Sequence, residues 1–479
     1  MARNRTKAPF SLGALLALLA PLATQACVSH SIRDDLDRVS RRTRVELAPA
    51  LEAPEVDVES RETVRRTLAA PMTAEDAVRV AISNNRSLRA SLRELGVYRG
   101  RLVQAGLVAN PAVEFDIRHP NDPVQPVQFD LALEWDLTHS LLAPVRAGVA
   151  RAELDAARHR AAGSVIELGF RVRAAVFAMQ AARARLTVAT RALDTFAAGR
   201  DAARALTEGG NVIALDRVTH EAAYESARVT VAQLELELLE RREELSRLLG
   251  AHGDETAWSL RDELPTVPEQ YEVVPDLERR VITASLALQE QRSALEAHAR
   301  RTGLTRAEGL IPDVSLDVHI EQDGPFWEAG GGARVTLPLF DRRQGTLTAN
   351  EATFDAAMER YLGAAIDLRS LARSARNRVL SAHARAKQYA TVIVPARRRV
   401  LEQWMLQYNA MQIGVFPLLQ ARRDELDAQM RAIETAREFF TAKAALEALL
   451  AGRSVGGDSM SSMSAVELSG SASAAHGGH

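Results

Sequence analysis

The stretch Arg334-Val-Thr-Leu-Pro-Leu-Phe-Asp-Arg-Arg-Gln-Gly345 joins a strand pattern to a very long helical pattern. On the strand side, apolar residues alternate with polar ones, and the apolar set is Ala333, Val335, Leu337 and Leu339. A period of two predicts a strand with one apolar face and one polar face. Asp341 is expected to be the N-cap of the following helix, which runs to about Met411.

The same order of elements occurs twice in the chain, which predicts two structural repeats. Each repeat contains a helix, a strand hairpin, a long helix, a reversal and a returning helix. The repeats are expected at residues 71–250 and 276–452, with a connector at residues 251–275. The expected strands lie at about 113–119, 127–137, 314–321 and 332–340.

A seven-residue repeat marks the long helix of the first repeat, which begins at Leu141 and ends near Thr207. One seam position holds Val165, Val172, Met179, Leu186 and Leu193, and the other holds Leu168, Ala175, Ala182, Ala189, Phe196 and Ala203. A sustained heptad predicts left-handed coiled-coil packing against another helix.

The four strands predict a membrane barrel that one chain cannot complete. Their apolar residues are expected to face outward. A closed membrane barrel needs about eight strands or more, and open strand edges are not tolerated in lipid. We therefore expect the chain to oligomerise. The predicted fold class is an α+β membrane protein, with hairpins in the barrel and long coiled-coil helices forming a tube on one side of the membrane.

The N-terminus is typical of an export signal, which we expect to comprise residues 1–26. Cys27, the only cysteine, follows it and suggests lipidation after cleavage. The alternative is ordinary cleavage with Cys27 incidental, because Thr24 stands where lipoprotein sites usually carry leucine. Residues 27–70 show no long period and predict an extended N-terminal segment.

Composition and motifs argue against an enzyme or a nucleic-acid-binding protein. The net charge is −2, so there is no global basic field for nucleic acid. His220-Glu221 resembles the start of a zinc-protease motif, but Tyr224 stands where the second histidine is needed. Gly330-Gly331-Gly332 lacks phosphate-loop spacing and is interpreted as strand flexibility. We expect neither a catalytic group nor a cofactor.

Residues 453–479 form a low-complexity tail that we expect to be disordered. The tail contains Met460, Met463, His476 and His479. Thioether and imidazole groups suit copper, so one interpretation is a copper-binding tail. The alternative is a solvated tail without a ligand. His319, on the polar side of its strand, is interpreted as a pore-lining residue rather than a metal ligand.

Several motifs together resemble the TolC-like outer-membrane efflux family over residues 72–452. The motifs are Thr73-Ala74-Glu75-Asp76-Ala77, Gln104-Ala105-Gly106-Leu107 with Asn110-Pro111, the glycine-containing helix reversals, and Leu337-Pro338-Leu339-Phe340-Asp341-Arg342 with Gln344-Gly345. The last run resembles most the heavy-metal branch of the family, of CzcC and CusC type.

This resemblance implies a homotrimer, with twelve strands in an outer-membrane barrel that contacts outer-membrane lipid and continues into a periplasmic helical tunnel. It also implies a periplasmic adaptor protein and an inner-membrane pump of the resistance-nodulation-division type. The pump would supply the energy, so transport through this chain would be passive. The tunnel tips that would meet the adaptor are the reversals, at Gly209, Gly210, Asn211, Gly414, Val415 and Pro417.

Charged residues near the reversals are candidates for a tunnel gate, because charged rings set ion passage in pores. The candidates are Asp201, Glu208, Asp216, Arg422, Arg423 and Asp424. The alternative is that each is an ordinary exposed helix charge.

Two other functions remain open from the sequence. The same channel could serve multidrug efflux or type I protein secretion, because a wide channel need not recognise its cargo. A different class is a periplasmic coiled-coil scaffold without a pore, against which the four alternating strands argue.

Overall fold

The computed structural model describes residues 32–47, 54–119, 121, 127–323 and 326–455. The chain divides into two compact units. One contains Glu94–Leu154 and Glu296–Glu351, and the other contains Asp35–Arg93, Asp155–Leu295 and the described residues from Ala352 onward. Each unit takes segments from both predicted repeats, so the repeats are not separate compact bodies.

The first unit contains a four-stranded antiparallel sheet with the strand order β1-β2-β3-β4. The strands are β1 (Ala112–Arg118), β2 (Gln128–Asp136), β3 (Asp313–Asp323) and β4 (Phe326–Thr336). The fourth strand lies earlier than the expected residues 332–340. It ends at Thr336, ahead of Pro338, because proline has no N–H to donate to a strand ladder.

Eleven helices are present in the part of the chain that the structure describes. They are α1 (Arg33–Thr43), α2 (Pro54–Ala69), α3 (Ala74–Asn84), α4 (Arg86–Gly106), α5 (Leu137–Glu208), α6 (Ala214–Leu249), α7 (Leu277–Ala284), α8 (Leu286–Leu310), α9 (Gln344–Gln388), α10 (Val394–Asn409) and α11 (Val415–Leu450). A π-helical segment, Tyr389–Ile393, interrupts the expected continuous helix just before Pro395. Proline lacks an N–H and clashes with the carbonyl four residues earlier, which accounts for the wider turn.

Each repeat begins with a bent pair of helices where a single helix was expected. A capping box begins α3, where Thr73 Oγ1 accepts from the Asp76 N–H at 3.2 Å. Hydrogen bonds from Thr73 lower the pKa of Asp76 to about 2. The chain then bends at Asn85, whose Oδ1 accepts the N–H three residues on at 3.0 Å. Ser285 Oγ makes the equivalent bond in the second repeat at 3.2 Å.

The N-terminal part of the chain contains helices where an extended segment was expected. The structure describes α1 and α2 within residues 27–70. In α1 the buried side chains are Asp35, Leu36 and Val39. Arg158 Nε, on α5, donates to Asp35 Oδ1 at 2.8 Å. The contact that holds α1 thus depends on a residue far along the chain, and the short apolar pattern of α1 did not predict it.

The second unit is built around a hydrophobic core that includes Val281, Val379 and Phe439, each fully buried. Tyr271, from the connector, packs edge-on against Phe439 with ring centroids 5.3 Å apart. Along α5, the middle of the predicted heptad seam is buried, including Val172, at 0% exposure. The seam residues therefore pack inside this unit, as coiled-coil packing predicts.

The strand-to-helix junctions differ between the two repeats. In the first, β2 passes directly into α5, and Asp136 is the N-cap, with Oδ1 accepting the His139 N–H at 2.7 Å. In the second, Asp341 is not the N-cap. Its Oδ1 accepts the Arg343 N–H at 2.8 Å, and α9 begins only at Gln344. The backbone at Arg342 passes very close to Gly309 before α9 begins. A Cβ on Gly309 would lie 2.3 Å from the Arg342 carbonyl oxygen.

Among the residues that the structure describes, no helix is both long enough and apolar enough to span a membrane.

Candidate functional site

The sheet has one apolar face, and that face is exposed in the single chain. The exposed fraction is 67% for Val113, 61% for Phe115 and 51% for Val318. The register places Leu131 opposite both Phe115 and Ile320, so the apolar residues of neighbouring strands lie side by side. A contiguous exposed apolar face is typical of a surface that lipid or another chain covers.

The opposite face of the sheet, which we call the acidic face, carries many more carboxylates than cations. It holds Glu114, Asp116, Asp130, Glu134, Asp136, Asp313, Asp317, Glu321 and Glu328, together with Arg118 and Arg334. Arg118 Nη2 lies 3.6 Å from Asp130, and Arg334 Nη1 lies 3.2 Å from Glu134. These two arginines offset part of the charge, and the face remains negative.

The register on the acidic face sets like charges against each other. Asp116 lies directly opposite Asp130, and Glu321 lies directly opposite Glu328. Like charges in such positions weaken a sheet. The pattern therefore favours a role that needs negative charge, such as attracting cations.

The glycines of β4 make room for side chains of β3. A Cβ on Gly330 would lie 2.5 Å from His319 Nε2, and a Cβ on Gly332 would lie 2.7 Å from Asp317 Oδ1. Close approach, rather than the expected strand flexibility, accounts for these glycines. His319 lies on the acidic face, with Nδ1 3.5 Å from Asp317 Oδ2.

The first helix reversal joins α5 to α6 and has the geometry of a Schellman motif. The Asn211 N–H donates to the Leu206 carbonyl at 2.9 Å, and the Gly210 N–H donates to the Thr207 carbonyl at 3.0 Å. Gly210 has a φ of +71°, a conformation that glycine adopts without steric cost. The predicted reversal at Gly209, Gly210 and Asn211 is confirmed.

The second reversal repeats this geometry with a different residue at the left-handed position. The Gln412 N–H donates to the Gln407 carbonyl at 2.9 Å, and Met411, not Gly414, has the positive φ, of +56°. Gly414 is extended, with φ −76° and ψ 175°, and is the N-cap residue of α11. Sequence reasoning placed the turn on the glycine. It missed Met411, which is 93% exposed.

Three of the six gate candidates have charged partners close by. Asp201 lies 2.8 Å from Arg200, and Asp424 lies 3.2 Å from Arg397. Arg422 lies 2.7 Å from Glu425, whose side chain is only 2% exposed. Each of these three candidate residues thus has a partner of opposite charge within the same chain.

The other three gate candidates differ from one another. Glu208 is the exposed last residue of α5. Asp216 lies in the first turn of α6, where the helix dipole favours a carboxylate. Arg423 lies with its guanidinium carbon 4.0 Å from the centroid of the Phe196 ring. The structure thus gives Arg423 a packed position that the sequence did not predict.

The remaining predicted site residues lie outside the described residues. These are Cys27, Met460, Met463, His476 and His479. Arg453, at the start of the predicted disordered tail, is described, and its Nη2 donates to Glu167 at 2.6 Å. Within residues 32–47, 54–119, 127–323 and 326–455, no cluster of three or more His, Cys, Asp or Glu side chains could hold a metal ion.

Comparison with known proteins relates this fold to outer-membrane proteins. The cobalt-zinc-cadmium resistance protein CzcC of Cupriavidus metallidurans is 23% identical over 389 residues, which cover 80% of this chain and 91% of that protein. The outer-membrane channel OprN superposes with a TM-score of 0.69 and 19% identity, covering 81% of this chain and 91% of its own. CusC superposes with a TM-score of 0.61 and 18% identity, and the match covers 80% of this chain and 93% of that chain. No protein-family model matches the chain.

The chain therefore has the fold of the outer-membrane channel OprN and of CusC, with a four-stranded sheet that has one apolar and one acidic face. The predicted resemblance to the TolC-like outer-membrane efflux family, on its heavy-metal branch, is confirmed by these comparisons. The predicted α+β fold class is confirmed with it. The description of OprN as an outer-membrane channel agrees with the expectation of a channel component.

Proposed function

We propose that this chain is the outer-membrane exit duct of a tripartite efflux system that exports heavy-metal cations. The observation that carries the proposal is the acidic face of the sheet. If the apolar face meets lipid, the acidic face lines the lumen, where negative charge concentrates cations. The similarity to a cobalt-zinc-cadmium resistance protein also supports the export of metal cations.

The assembly that the proposal requires is a homotrimer. The sheet order leaves β1 and β4 as its outer strands, and open edges are not tolerated in lipid. Three copies would supply twelve strands and pair each β1 with a β4 of the next copy. Outer-membrane lipid would then cover the apolar face.

The helix reversals are the proposed contact with a periplasmic adaptor, which would connect the duct to an inner-membrane pump of the resistance-nodulation-division type. Gly209, Gly210 and Asn211 form one tip, and Gly414, Val415 and Pro417 lie at the other. Three large apolar side chains there are exposed, namely Ile213 at 64%, Leu215 at 67% and Met411 at 93%. Apolar groups exposed at a tip favour docking of another protein.

The proposal predicts the phenotype of a deletion strain. Growth is expected to fail at lower concentrations of divalent metals such as cobalt, zinc and cadmium, and to recover when the gene is restored. Dyes and detergents are the control. Sensitivity to dyes alone would contradict the metal assignment and favour multidrug export.

Two further observations, one from the growth experiment and one from outer-membrane extracts, separate the remaining alternatives. Sensitivity to copper or silver alone would favour a metal role for Met460, Met463, His476 and His479. A periplasmic scaffold without a pore would give no heat-modifiable trimer in outer-membrane extracts, whereas the proposed barrel would.

A further inference from the structure

An open cavity of about 810 Å³ lies in the second unit and is lined by residues from the end of α1, the start of α7 and the end of α11. We call it the arginine cavity, because four arginines line it, namely Arg42, Arg44, Arg279 and Arg280. Asp276, just before α7, is the one carboxylate among the lining residues. The lining therefore carries a net positive charge.

The positive charge of the arginine cavity is not neutralised by neighbouring acids. None of its four arginines forms an ion pair with another residue in the part of the chain that the structure describes. Glu278, beside them on α7, is paired with Arg373 on α9 at 3.2 Å. Arg42 donates from Nη2 to the Ala284 carbonyl at 3.5 Å, which leaves most of its five N–H donors for another acceptor. Clustered cations without counter-charges repel one another, so the cavity favours an anionic ligand.

The backbone of the arginine cavity is strained at two of its lining residues. Arg44 has a φ of +56° and Asp276 a φ of +54°. Among the described residues only two others that are not glycine have a positive φ, and they are Arg343 and Met411. This conformation is costly for a residue with a side chain, and such residues cluster where ligands are held. The strain thus coincides with the unneutralised charge.

The size and lining of the arginine cavity limit the ligand that it could take. Cavities of roughly 300–1,000 Å³ hold small organic molecules, so a single inorganic ion would fill only part of this one. Arg42 and Arg44 come from one segment and Arg279 and Arg280 from another, so the cations form two pairs. Ile166, Pro275 and Leu450 add an apolar part to the lining.

Phosphate is the anion that suits these two arginine pairs. The planar guanidinium group matches a phosphate with two parallel hydrogen bonds. A phosphate group also carries more negative charge than a carboxylate, so two phosphates offset four arginines in little space. We propose that the arginine cavity binds a compound that bears two phosphate groups beside an apolar part. This site stands on its own lining and does not depend on the proposed transport function.

The test is titration calorimetry of the purified full-length protein in detergent, with EDTA present and the ionic strength held constant. Two arms distinguish a soluble source of the phosphates from a lipid source. The soluble arm uses adenosine diphosphate, and the lipid arm uses cardiolipin in the same micelles. Saturable binding in either arm supports the proposal, and the arm that binds identifies the source. In that arm the counterpart with one phosphate, adenosine monophosphate or phosphatidylglycerol, should bind at least about tenfold more weakly.

Two double variants of equal charge change then locate the binding. Arg279→Gln with Arg280→Gln removes one arginine pair and should weaken binding by about tenfold or more. Arg261→Gln with Arg398→Gln is the matched control, because both residues are exposed and neither lines the cavity. The control should bind as the unchanged protein does, and circular dichroism should show that both variants are folded.

Three results would overturn the proposal. The first is the absence of saturable binding in both arms. The second is equal affinity for the compounds with one and with two phosphates. The third is an equal loss of affinity in the two double variants, because binding would then follow the overall charge of the protein and not the arginine cavity.

Discussion

Replacing Arg158 by methionine is expected to lower the free energy of unfolding by about 3–5 kcal/mol. Asp35 is 0% exposed, and the Nε of Arg158 donates to its Oδ1 at 2.8 Å. Without the guanidinium, a carboxylate remains buried with its main cation gone. Because Asp35 belongs to α1, the substitution should also release that helix. Thermal unfolding followed by circular dichroism measures the loss, and proteolysis within α1 measures the release.

Two controls separate the buried pair from an ordinary surface charge. Arg160 lies two residues after Arg158 on α5, on another side of the helix. It forms an exposed pair with Glu290 at 2.8 Å. Arg160→Met should therefore lower stability by less than about 1 kcal/mol. The double variant Asp35→Leu with Arg158→Met should recover most of the loss, because an apolar pair replaces an ionic one. Equal effects of Arg158→Met and Arg160→Met would contradict the assignment.

Replacing Gly452 by alanine is expected to lower stability by a similar amount, and Gly250→Ala by slightly less. Both glycines end a returning helix in the left-handed conformation, with φ of +107° and +70°. A Cβ on Gly452 would lie 2.4 Å from the Ala284 carbonyl oxygen, and one on Gly250 would lie 2.8 Å from that of Asn84. The clash adds about 1–3 kcal/mol to a conformational cost of about 1–2 kcal/mol.

Gly210→Ala is the matched control for these two substitutions. Gly210 has almost the same φ as Gly250, +71°, but nothing lies within 4 Å of its missing Cβ. The difference in Tm between Gly250→Ala and Gly210→Ala therefore isolates the close approach from the backbone conformation. If Gly210→Ala lowered Tm as much as Gly452→Ala, the prediction would be wrong. The close contacts of Gly452 with Ala284 and of Gly250 with Asn84 would then not explain why glycine is needed there.

The sequence predicts the elements whose period is long and regular. Alternation over four strands and a heptad over α5 are repeated many times, so tertiary contacts reinforce the local pattern and do not override it. The duplicated order of elements then limits the fold to a few possibilities. The glycine pair at the end of α5 likewise predicts the first reversal, because residue Gly210 needs a positive φ.

The sequence fails where a single long-range contact decides the structure. Asp136 and Asp341 occupy similar places in the two repeats, yet only Asp136 is a helix N-cap, because the chain near Arg342 must pass close to Gly309. The second reversal uses Met411 although Gly414 is nearby, so residue type alone does not locate a turn. Helix α1 depends on the ion pair between Asp35 and Arg158, which are 123 residues apart in the sequence.

The candidate site was predicted only in part for the same reason. Strand alternation predicts which residues share the acidic face, but the register that sets Asp116 opposite Asp130 follows from the fold. The sequence identifies the gate candidates only by their position near the reversals. Whether each is paired with a neighbour, as Asp424 is with Arg397, depends on side-chain contacts that no sequence pattern shows.

Ion selectivity of the purified protein in a planar bilayer tests the central claim most directly. The reversal potential under a salt gradient should show a preference for cations. The variant Asp317→Asn, Glu321→Gln, Glu328→Gln should reduce that preference, because these residues lie on the acidic face. The variant Glu269→Gln, Glu272→Gln in the connector should leave it unchanged. A channel that prefers anions, or a preference that survives neutralisation of the acidic face, would contradict the account.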